Sequence, residues 1–116
     1  MVIGVNNIRL PLVWNYSLEV NETILTVAFK RQKPGESQSI GIAKRDDKSP
    51  FTLARREYSV EYLAILPATL LLLDASNNDG YTYTIEISYT KGVRSSLERD
   101  DVPIKVFGKY CALLFI

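Results

Sequence analysis

One stretch of the sequence decides the fold: residues 67–90, which read PATLLLLDASNNDGYTYTIEISYT. Its second half alternates with a period of two, so that five large side chains share one face: Tyr81, Tyr83, Ile85, Ile87 and Tyr89. This alternation predicts a β-strand with one buried face. The run of Asn and Asp before it, which ends at Gly80, predicts a turn, and the leucines at 70–73 predict a preceding strand. The stretch therefore predicts two consecutive strands that contribute to one core.

The rest of the chain has the same short-strand character. Further strands are predicted at 8–14, 24–31, 39–44, 51–53, 58–64 and 102–107, with turns or loops at 33–36, 45–50 and 91–101. In the strand at 24–31, we expect Leu25, Val27 and Phe29 to face the core. Pro11 predicts that its own strand is at a sheet edge or is irregular. Roughly seven to nine short strands in about a hundred residues predict an antiparallel sandwich, with a barrel as the alternative.

The composition excludes several classes of function. With 116 residues, of which 47% are apolar and 23% charged, the chain is one globular domain. Lys and Arg number 14 against 13 Asp and Glu, and this balance offers no basic surface to nucleic acid. There is no histidine and a single cysteine, Cys111, which excludes histidine-based triads, cysteine-rich zinc sites and an intrachain disulfide. We therefore predict a protein that is not an enzyme and that needs no cofactor or metal.

Membrane and targeting signals are also missing from the sequence. The longest apolar stretch, residues 63–73, is interrupted by Pro67 and Thr69 and is much shorter than the ~20 residues of a spanning helix. We therefore expect no direct insertion into a membrane. Residues 1–5 do not have the pattern of a secretion signal, which indicates either a cytoplasmic protein or a leader removed ahead of Met1.

Residues 67–87 resemble the E–F region of a variable-type (V-type) immunoglobulin domain, where a leucine-rich strand precedes an Asp-x-Gly-x-Tyr-x-Cys corner. The similarity extends to four further strands of that domain: B at 8–12, C at 25–29, C′ at 39–42 and G at 102–107. The resemblance implies an all-β, immunoglobulin-like V-type antiparallel β-sandwich over residues 1–109. Residues 110–116 are then a C-terminal tail or an extension of the last strand, and Cys111 within them offers a disulfide between two chains.

The resemblance also assigns structural roles in the core. Leu12 and Ile85 take the positions of the two cysteines of the inter-sheet disulfide, so it implies an apolar contact in place of the bridge. Val27 takes the position of the core tryptophan, and Trp14 is expected to supply the missing volume.

Two further roles concern the corner before strand F and the bottom of the sandwich. Tyr83 is expected to be the corner tyrosine, and Arg56 is expected to pair with Asp79 as in V-type domains. The alternative to Tyr83 is Tyr81. In the pair, Arg55 is the alternative to Arg56 and Asp74 the alternative to Asp79. This pair is structural and has no catalytic role.

A V-type domain without its disulfide is similar to those at the tips of certain adhesion receptors, including the carcinoembryonic-antigen type, the lymphocyte-adhesion type and the hydroid allorecognition receptors. The resemblance implies an extracellular recognition domain at the cell surface, which binds a protein through the flat sheet of strands G, F, C and C′. The partner predicted first is a second copy of the chain. The residues expected to bind it are Ala28, Lys30, Ile40, Ile42, Lys44, Thr84, Glu86 and Ser88.

Within this face, a two-fold self-contact sets Lys30 of one copy against Glu86 of the other. Ile40 and Ile42 form an apolar anchor if they point outward and belong to the core if they point inward. The alternative for the whole surface is a solvated sheet face with no partner. Residues 91–101 correspond to the third hypervariable-like loop, which either contributes to specificity or is simply solvated.

Two glycosylation sequons, Asn15-Tyr16-Ser17 and Asn21-Glu22-Thr23, lie in the predicted loop between strands B and C. Together they favour an extracellular origin and predict glycans on Asn15 and Asn21.

Two other functions remain open. One is a viral or phage structural β-sandwich module, and the other is a small enzyme or sugar-binding module that uses Trp14 and the tyrosines for stacking.

Overall fold

The computed structural model describes residues 2–4, 9–107 and 110–113, with the side chains of residues 9–106. The strands in chain order are β1 (Val2–Gly4), β2 (Leu10–Val13), β3 (Glu22–Gln32), β4 (Ile40–Asp46), β5 (Thr52–Leu53), β6 (Tyr62–Ile65), β7 (Thr69–Leu72), β8 (Thr82–Lys91), β9 (Arg94–Phe107) and β10 (Tyr110–Leu113). Two short 3-10 helices connect them, Arg56–Val60 before β6 and Ala75–Asn77 before β8. Within the described ranges, neither helix has the length or the apolar character needed to cross a membrane.

These strands form two antiparallel sheets. The large sheet has the order β1-β10-β9-β8-β3-β4-β5, and the small sheet has the order β2-β7-β6. The two sheets pack face to face over one core, so the predicted immunoglobulin-like β-sandwich is confirmed and the barrel is excluded. Pro11 lies in β2, an edge strand of the small sheet. Its missing N–H therefore costs no hydrogen bond between central strands.

The core consists of the alternate side chains that the two sheets turn toward each other. Its members include Leu10, Leu12, Tyr62, Leu70 and Leu72 from the small sheet and Val27, Phe29, Tyr83 and Ile85 from the large sheet. Leu12 and Ile85 are each 3% exposed and come from opposite sheets, so both belong to the apolar layer between them. Trp14 adds its ring just beyond β2, with its centroid 5.5 Å from that of Phe29.

A buried polar network closes one end of the core. Arg31 in β3 is 7% exposed; its Nη1 donates to Tyr62 Oη at 2.6 Å and lies 3.6 Å from Glu61 Oε2. Tyr83, which is fully buried, donates its hydroxyl to Asn78 Oδ1 at 2.5 Å and lies 3.1 Å from Tyr62 Oη. Burial, together with the neighbouring phenol of Tyr62, raises the pKa of Tyr83 far above its usual value. The phenols therefore stay neutral and act as hydrogen-bond links.

The predicted pair of Arg56 with Asp79 does not form. Asp79 instead accepts the Val106 N–H at 2.9 Å and lies 3.6 Å from Lys105 Nζ. The hydrogen bond from Val106 lowers the pKa of Asp79, and Lys105 adds to this effect. Arg56 is exposed at the start of the first 3-10 helix, and the buried guanidinium at this end of the sandwich is that of Arg31 in β3.

A second buried arginine lies toward the other end of β3. Arg45 in β4 is 6% exposed, and its Nε and Nη2 donate to the carbonyl of Pro67 at 3.1 and 3.0 Å. Its Nη2 also donates to Tyr16 Oη at 3.0 Å, and the guanidinium lies 5.6 Å from the Phe51 ring centroid. This side chain therefore joins the large sheet to the turn between β6 and β7.

The start of β3 differs from the prediction. Leu25 is 42% exposed, whereas Ile24 is 5% exposed and belongs to the core. The register between β3 and β8 shifts between Ile24 and Thr26, which marks a β-bulge. An extra residue in one strand moves the side chains before it to the opposite face. Val27 and Phe29 follow the bulge and face the core as predicted.

A second bulge decides the orientation of the two isoleucines in β4. The register shifts between Phe29 and Lys30, which oppose Ala43 and Gly41, so that Ile42 has no direct partner. Ile42 is fully buried, and Ile40 lies opposite the inward-facing Arg31 and is half-buried. The prediction of an outward apolar anchor at Ile40 and Ile42 is therefore wrong.

The predicted polar loop at 91–101 is a strand. β8 and β9 form one long hairpin that pairs continuously from Thr82↔Pro103 to Lys91↔Arg94, with a two-residue turn at Gly92 and Val93. Gly92 has φ +61°, which this kind of tight turn requires and which glycine adopts at little cost. The long strand β8 provides a partner for each of residues 94–101, so the lack of alternation in this polar segment does not prevent pairing.

Two other segments also differ from the predictions. Residues 58–60 were expected at the start of a strand but lie in the first 3-10 helix, and the strand begins only at Tyr62. Residues 110–113 are not an extension of β9. They form β10, which pairs antiparallel with both β9 and β1 and so covers the edge of β9. Residues 114–116 and the side chain of Cys111 lie outside the described part of the chain.

Candidate functional site

The candidate site is the outer surface of the large sheet, formed by the outward side chains of β3, β4, β8 and β9 and hereafter termed the recognition face. The strand registers arrange its members in three rows across the sheet: Lys44, Ala28, Glu86 and Arg99; Gly41, Lys30, Thr84 and Asp101; and Asp46, Thr26, Ser88 and Leu97. Four strands spaced ~4.8 Å apart give a flat surface about 15 Å wide. All of the residues predicted for this surface lie in these rows except Ile40 and Ile42.

An ion pair occupies the middle of the recognition face. Lys30 Nζ lies 3.0 Å from Glu86 Oε1 of the same chain, and the two side chains are 33% and 17% exposed. Such a partly exposed pair contributes about 0–1 kcal/mol to stability. Each charge already has a partner, so neither needs the opposite charge of a second copy. The predicted self-contact between these two charges of different copies therefore has no electrostatic attraction left to stabilise it.

A second polar cluster lies on the β9 side of this pair. Asp101 Oδ1 accepts hydrogen bonds from Thr84 Oγ1 at 2.6 Å and from Arg99 Nε at 3.1 Å. Partial burial by itself raises the pKa of Asp101, but these two donors outweigh it and hold the pKa below its usual range. Thr84 is only 1% exposed, because it lies between Lys30 and Asp101 in its row. It therefore positions the Asp101 carboxylate and is not an exposed contact residue as predicted.

Toward one end of the recognition face, exposed apolar side chains stand on both sides of a polar row formed by Thr23, Thr90 and Ser95. Leu25 and Leu97 are 42% and 61% exposed, and the adjacent turns expose Val20 at 86% and Val93 at 103%. The two turns are in contact, because the Gly92 N–H donates to the carbonyl of Asn21, the residue after Val20, at 3.1 Å. These four side chains are hereafter the apolar end. Exposed apolar side chains scattered singly are ordinary, whereas several of them near one end of a sheet make that end a candidate for an interaction surface.

Sequence reasoning missed the apolar end. Leu25 was assigned to the core because simple alternation does not reveal a bulge, and Leu97 was placed in a loop because its neighbours are polar. One local signal was present: Gly92 directly follows a long alternating strand, and this position is typical of a hairpin turn. Interpretation of residues 82–103 as a hairpin with its turn at Gly92 would have placed Leu97 opposite Ser88 on the outer face.

Both sequon asparagines are exposed. Asn15 follows β2, and Asn21 lies in the turn before β3 with φ +73°, a conformation that asparagine tolerates better than most residues. The carbonyl of Asn21 is the acceptor that holds the hairpin turn at Gly92. A glycan on Asn21 would therefore stand beside the apolar end.

Comparison with known proteins gives a match by structure and none by sequence: no protein-family model and no curated protein matches the chain. Among solved structures, murine CRIg, a V-type immunoglobulin domain, is similar with a TM-score of 0.72 and 14% sequence identity. The similarity covers 88% of this chain and 87% of that chain. It establishes the immunoglobulin-like fold, and at this identity it transfers no ligand and no residue role.

Proposed function

We propose that this chain is an extracellular recognition domain of a cell-surface receptor and that it binds a protein partner through the recognition face. One observation carries the proposal: a four-stranded surface has four exposed apolar side chains toward one end, Val20, Leu25, Val93 and Leu97. The V-type fold, which displays this sheet face on one side of the sandwich, supports it.

The composition of the recognition face suits a protein partner. Protein interfaces combine a few apolar anchors, which supply most of the binding energy, with a polar surround that excludes mismatched partners. The apolar end supplies the anchors. The pairs Lys30–Glu86 and Arg99–Asp101 supply the polar surround, and their charged groups are held in place before binding, which lowers the entropy lost in the complex. A partner with an unpaired charge opposite these groups would be rejected.

The partner we propose is a second copy of the chain on an opposing surface. A two-fold contact lays the apolar end of one copy against that of the other, because an isologous interface uses the same patch on both sides. A single contact of this size is weak, and many copies on each surface supply the strength through multivalency. The biological role proposed is adhesion, and variation at the outward positions would let the domain distinguish its own kind in allorecognition.

Beads coated with the chain test this proposal. Wild-type beads should aggregate, and Leu97→Glu should slow aggregation at least ~10-fold, because it places an unpaired charge among the anchors. The matched control is Val60→Glu, which adds the same charge to an exposed valine of the first 3-10 helix, away from the recognition face. Aggregation that survives Leu97→Glu, or falls equally in the control, argues against the recognition face. Wild-type beads that stay dispersed argue against self-binding. Assembly of the chain into soluble rings or fibres favours the alternative function, a viral or phage structural module.

We also propose that Asn15 and Asn21 carry glycans, consistent with an extracellular location. After secretion from eukaryotic cells behind a supplied leader, enzymatic deglycosylation should lower the mass by two glycans. Ser17→Ala and Thr23→Ala should each remove one glycan and leave the asparagines in place, which preserves the positive φ of Asn21. Mass spectrometry of the intact chain checks this, and an unmodified Asn21 in the otherwise secreted protein contradicts its assignment.

A further inference from the structure

The small sheet carries an apolar face on the side away from the core, and none of the described strands or 3-10 helices packs over it. Two rows cross its three strands: Pro11, Leu71 and Leu63 lie side by side in one, and Val13, Thr69 and Ile65 in the next. Val13, Leu63 and Ile65 are 60%, 50% and 42% exposed. The hydroxyl of Thr69 is the one polar side-chain group in these rows, so the outer surface of the small sheet is as apolar as an inner one. These six residues are hereafter the apolar sheet face.

Two opposite charges flank this face at one end. The next row, beyond Pro11, Leu71 and Leu63, has Leu73 in its centre. The Leu73 N–H donates to the carbonyl of Glu61 at 2.9 Å, so Glu61 lies beside Leu73 on the β6 side. Arg9, which precedes β2, lies on the other side, because Leu10 is paired with Leu72. Both Arg9 and Glu61 are exposed. The β2 side of the face is therefore positive and the β6 side negative, at the same level along the strands.

We propose that the apolar sheet face binds a second copy of this chain about a two-fold axis that lies in the interface close to the direction of β7. Such an axis exchanges the two sides of the sheet and keeps the level along the strands. Arg9 of one copy then faces Glu61 of the other, and Val13 faces Ile65. Leu71 and Thr69 lie near the axis and face their own counterparts. The apolar rows match on both sides of the axis, and this match favours a second copy over an unrelated partner. Arg9 lies level with Glu61, whose half-exposed carboxylate also pairs with Arg31 of its own chain at 3.6 Å.

The geometry of this contact follows ordinary sheet packing. Two sheets stack ~10 Å apart with their strands within about 30° of each other, and the outer faces of the small sheets have the apolar side chains for such a layer. The contact is smaller than the ~800 Å² per partner of a typical stable complex, so it forms at high local concentration, as between neighbouring chains on one surface. It leaves the recognition face free, and it does not depend on the function proposed for that face.

A charge-complementation experiment tests the axis as well as the surface. Sedimentation velocity of the wild-type chain up to ~1 mM should show a concentration-dependent dimer. Val13→Glu and Ile65→Lys should each weaken it at least ~30-fold, because each buries an unpaired charge against an apolar residue of the partner. An equimolar mixture should restore the dimer, because the introduced carboxylate of one chain then faces the introduced ammonium group of the other. Val93→Glu, which places a negative charge at the hairpin tip, and Leu97→Glu should leave the dimer unchanged.

Each result decides the proposal. In a Leu97→Glu background, which removes the self-contact proposed for the recognition face, a chain that stays monomeric at ~1 mM, or dimers that survive both substitutions, overturn it. Singly impaired variants that fail to complement each other overturn the axis. A cross-linking measurement covers the case in which a charged variant folds poorly. In a Cys111→Ser background, Thr69→Cys should form an intermolecular disulfide under mild oxidation faster than Val93→Cys, because residue 69 lies near the axis. Equal rates contradict the proposal.

Discussion

Truncation of Phe29 to alanine should lower the free energy of unfolding by about 3–5 kcal/mol, which corresponds to a fall in melting temperature of roughly 15–30 °C. The ring is fully buried, and its centroid lies 5.5 Å from that of Trp14 and 5.1 Å from that of Phe51. Its removal leaves a cavity between two rings from separate segments, and neither segment can move inward without disturbing its own strand or loop. Thermal or denaturant unfolding monitored by circular dichroism gives the value.

The matched control for this substitution is Leu25→Ala in the same strand. Leu25 is also a large apolar residue, but the bulge turns it outward and leaves it 42% exposed. Its truncation should cost less than about 1 kcal/mol, since little of the side chain leaves a packed environment. A loss as large as that for Phe29→Ala would mean that β3 has the simple alternation expected from its sequence and that the bulge is absent.

A disulfide introduced by Leu12→Cys and Ile85→Cys should form on oxidation and bridge the two sheets. The oxidised double variant should be more stable than its reduced form by about 4 kcal/mol, because the bridge closes a loop of about 70 residues. Both native side chains are buried in the same core on opposite sheets, at the positions that the V-type resemblance assigns to cysteines. The measurement compares chemical unfolding with and without reductant in a Cys111→Ser background, which prevents mispairing.

The control for the bridge is the pair Leu10→Cys and Ile85→Cys. Leu10 lies on the same inner face of β2 as Leu12, one pleat period away, and is also buried. This shift of about 7 Å along the strand exceeds what a disulfide tolerates, so the control should bridge slowly or not at all. Faster bridging through position 10 than through position 12 would show that the assignment of the cysteine positions is displaced by one inward residue.

Much of the fold was predictable because it depends on local alternation. The strand at residues 81–90, the leucine strand at 70–73 and the inward positions of Val27 and Phe29 all follow from a period of two and a single buried face. The burial of Leu12, Ile85 and Tyr83 followed from the same pattern once the strands were assigned to two layers. These features depend on neighbouring residues of one strand and not on how the strands are arranged.

The candidate site was less predictable because it depends on register between distant strands. Lys30 and Glu86 were placed on one face correctly, but only the β3–β8 pairing shows that they neutralise each other within one chain. Thr84 was expected to be exposed and is covered by its cross-strand neighbours. Arg31 continues the inward phase of Phe29, yet a charged side chain in the core was not predicted, because its partners Tyr62 and Glu61 are about thirty residues away.

The sequence by itself determined the all-β class, the inward positions within single strands and the absence of histidine-based chemistry, because composition and alternation are properties of single residues and single strands. The tertiary structure alone decided which exposed side chains lie together. Two bulges turned Leu25 outward and Ile42 inward, and the hairpin of β8 and β9 brought Leu97 onto the recognition face. The pairing of β2 and β6 with β7 gathered Val13, Leu63 and Ile65 into one apolar surface, since contacts between strands far apart in sequence are set only when the sheets assemble.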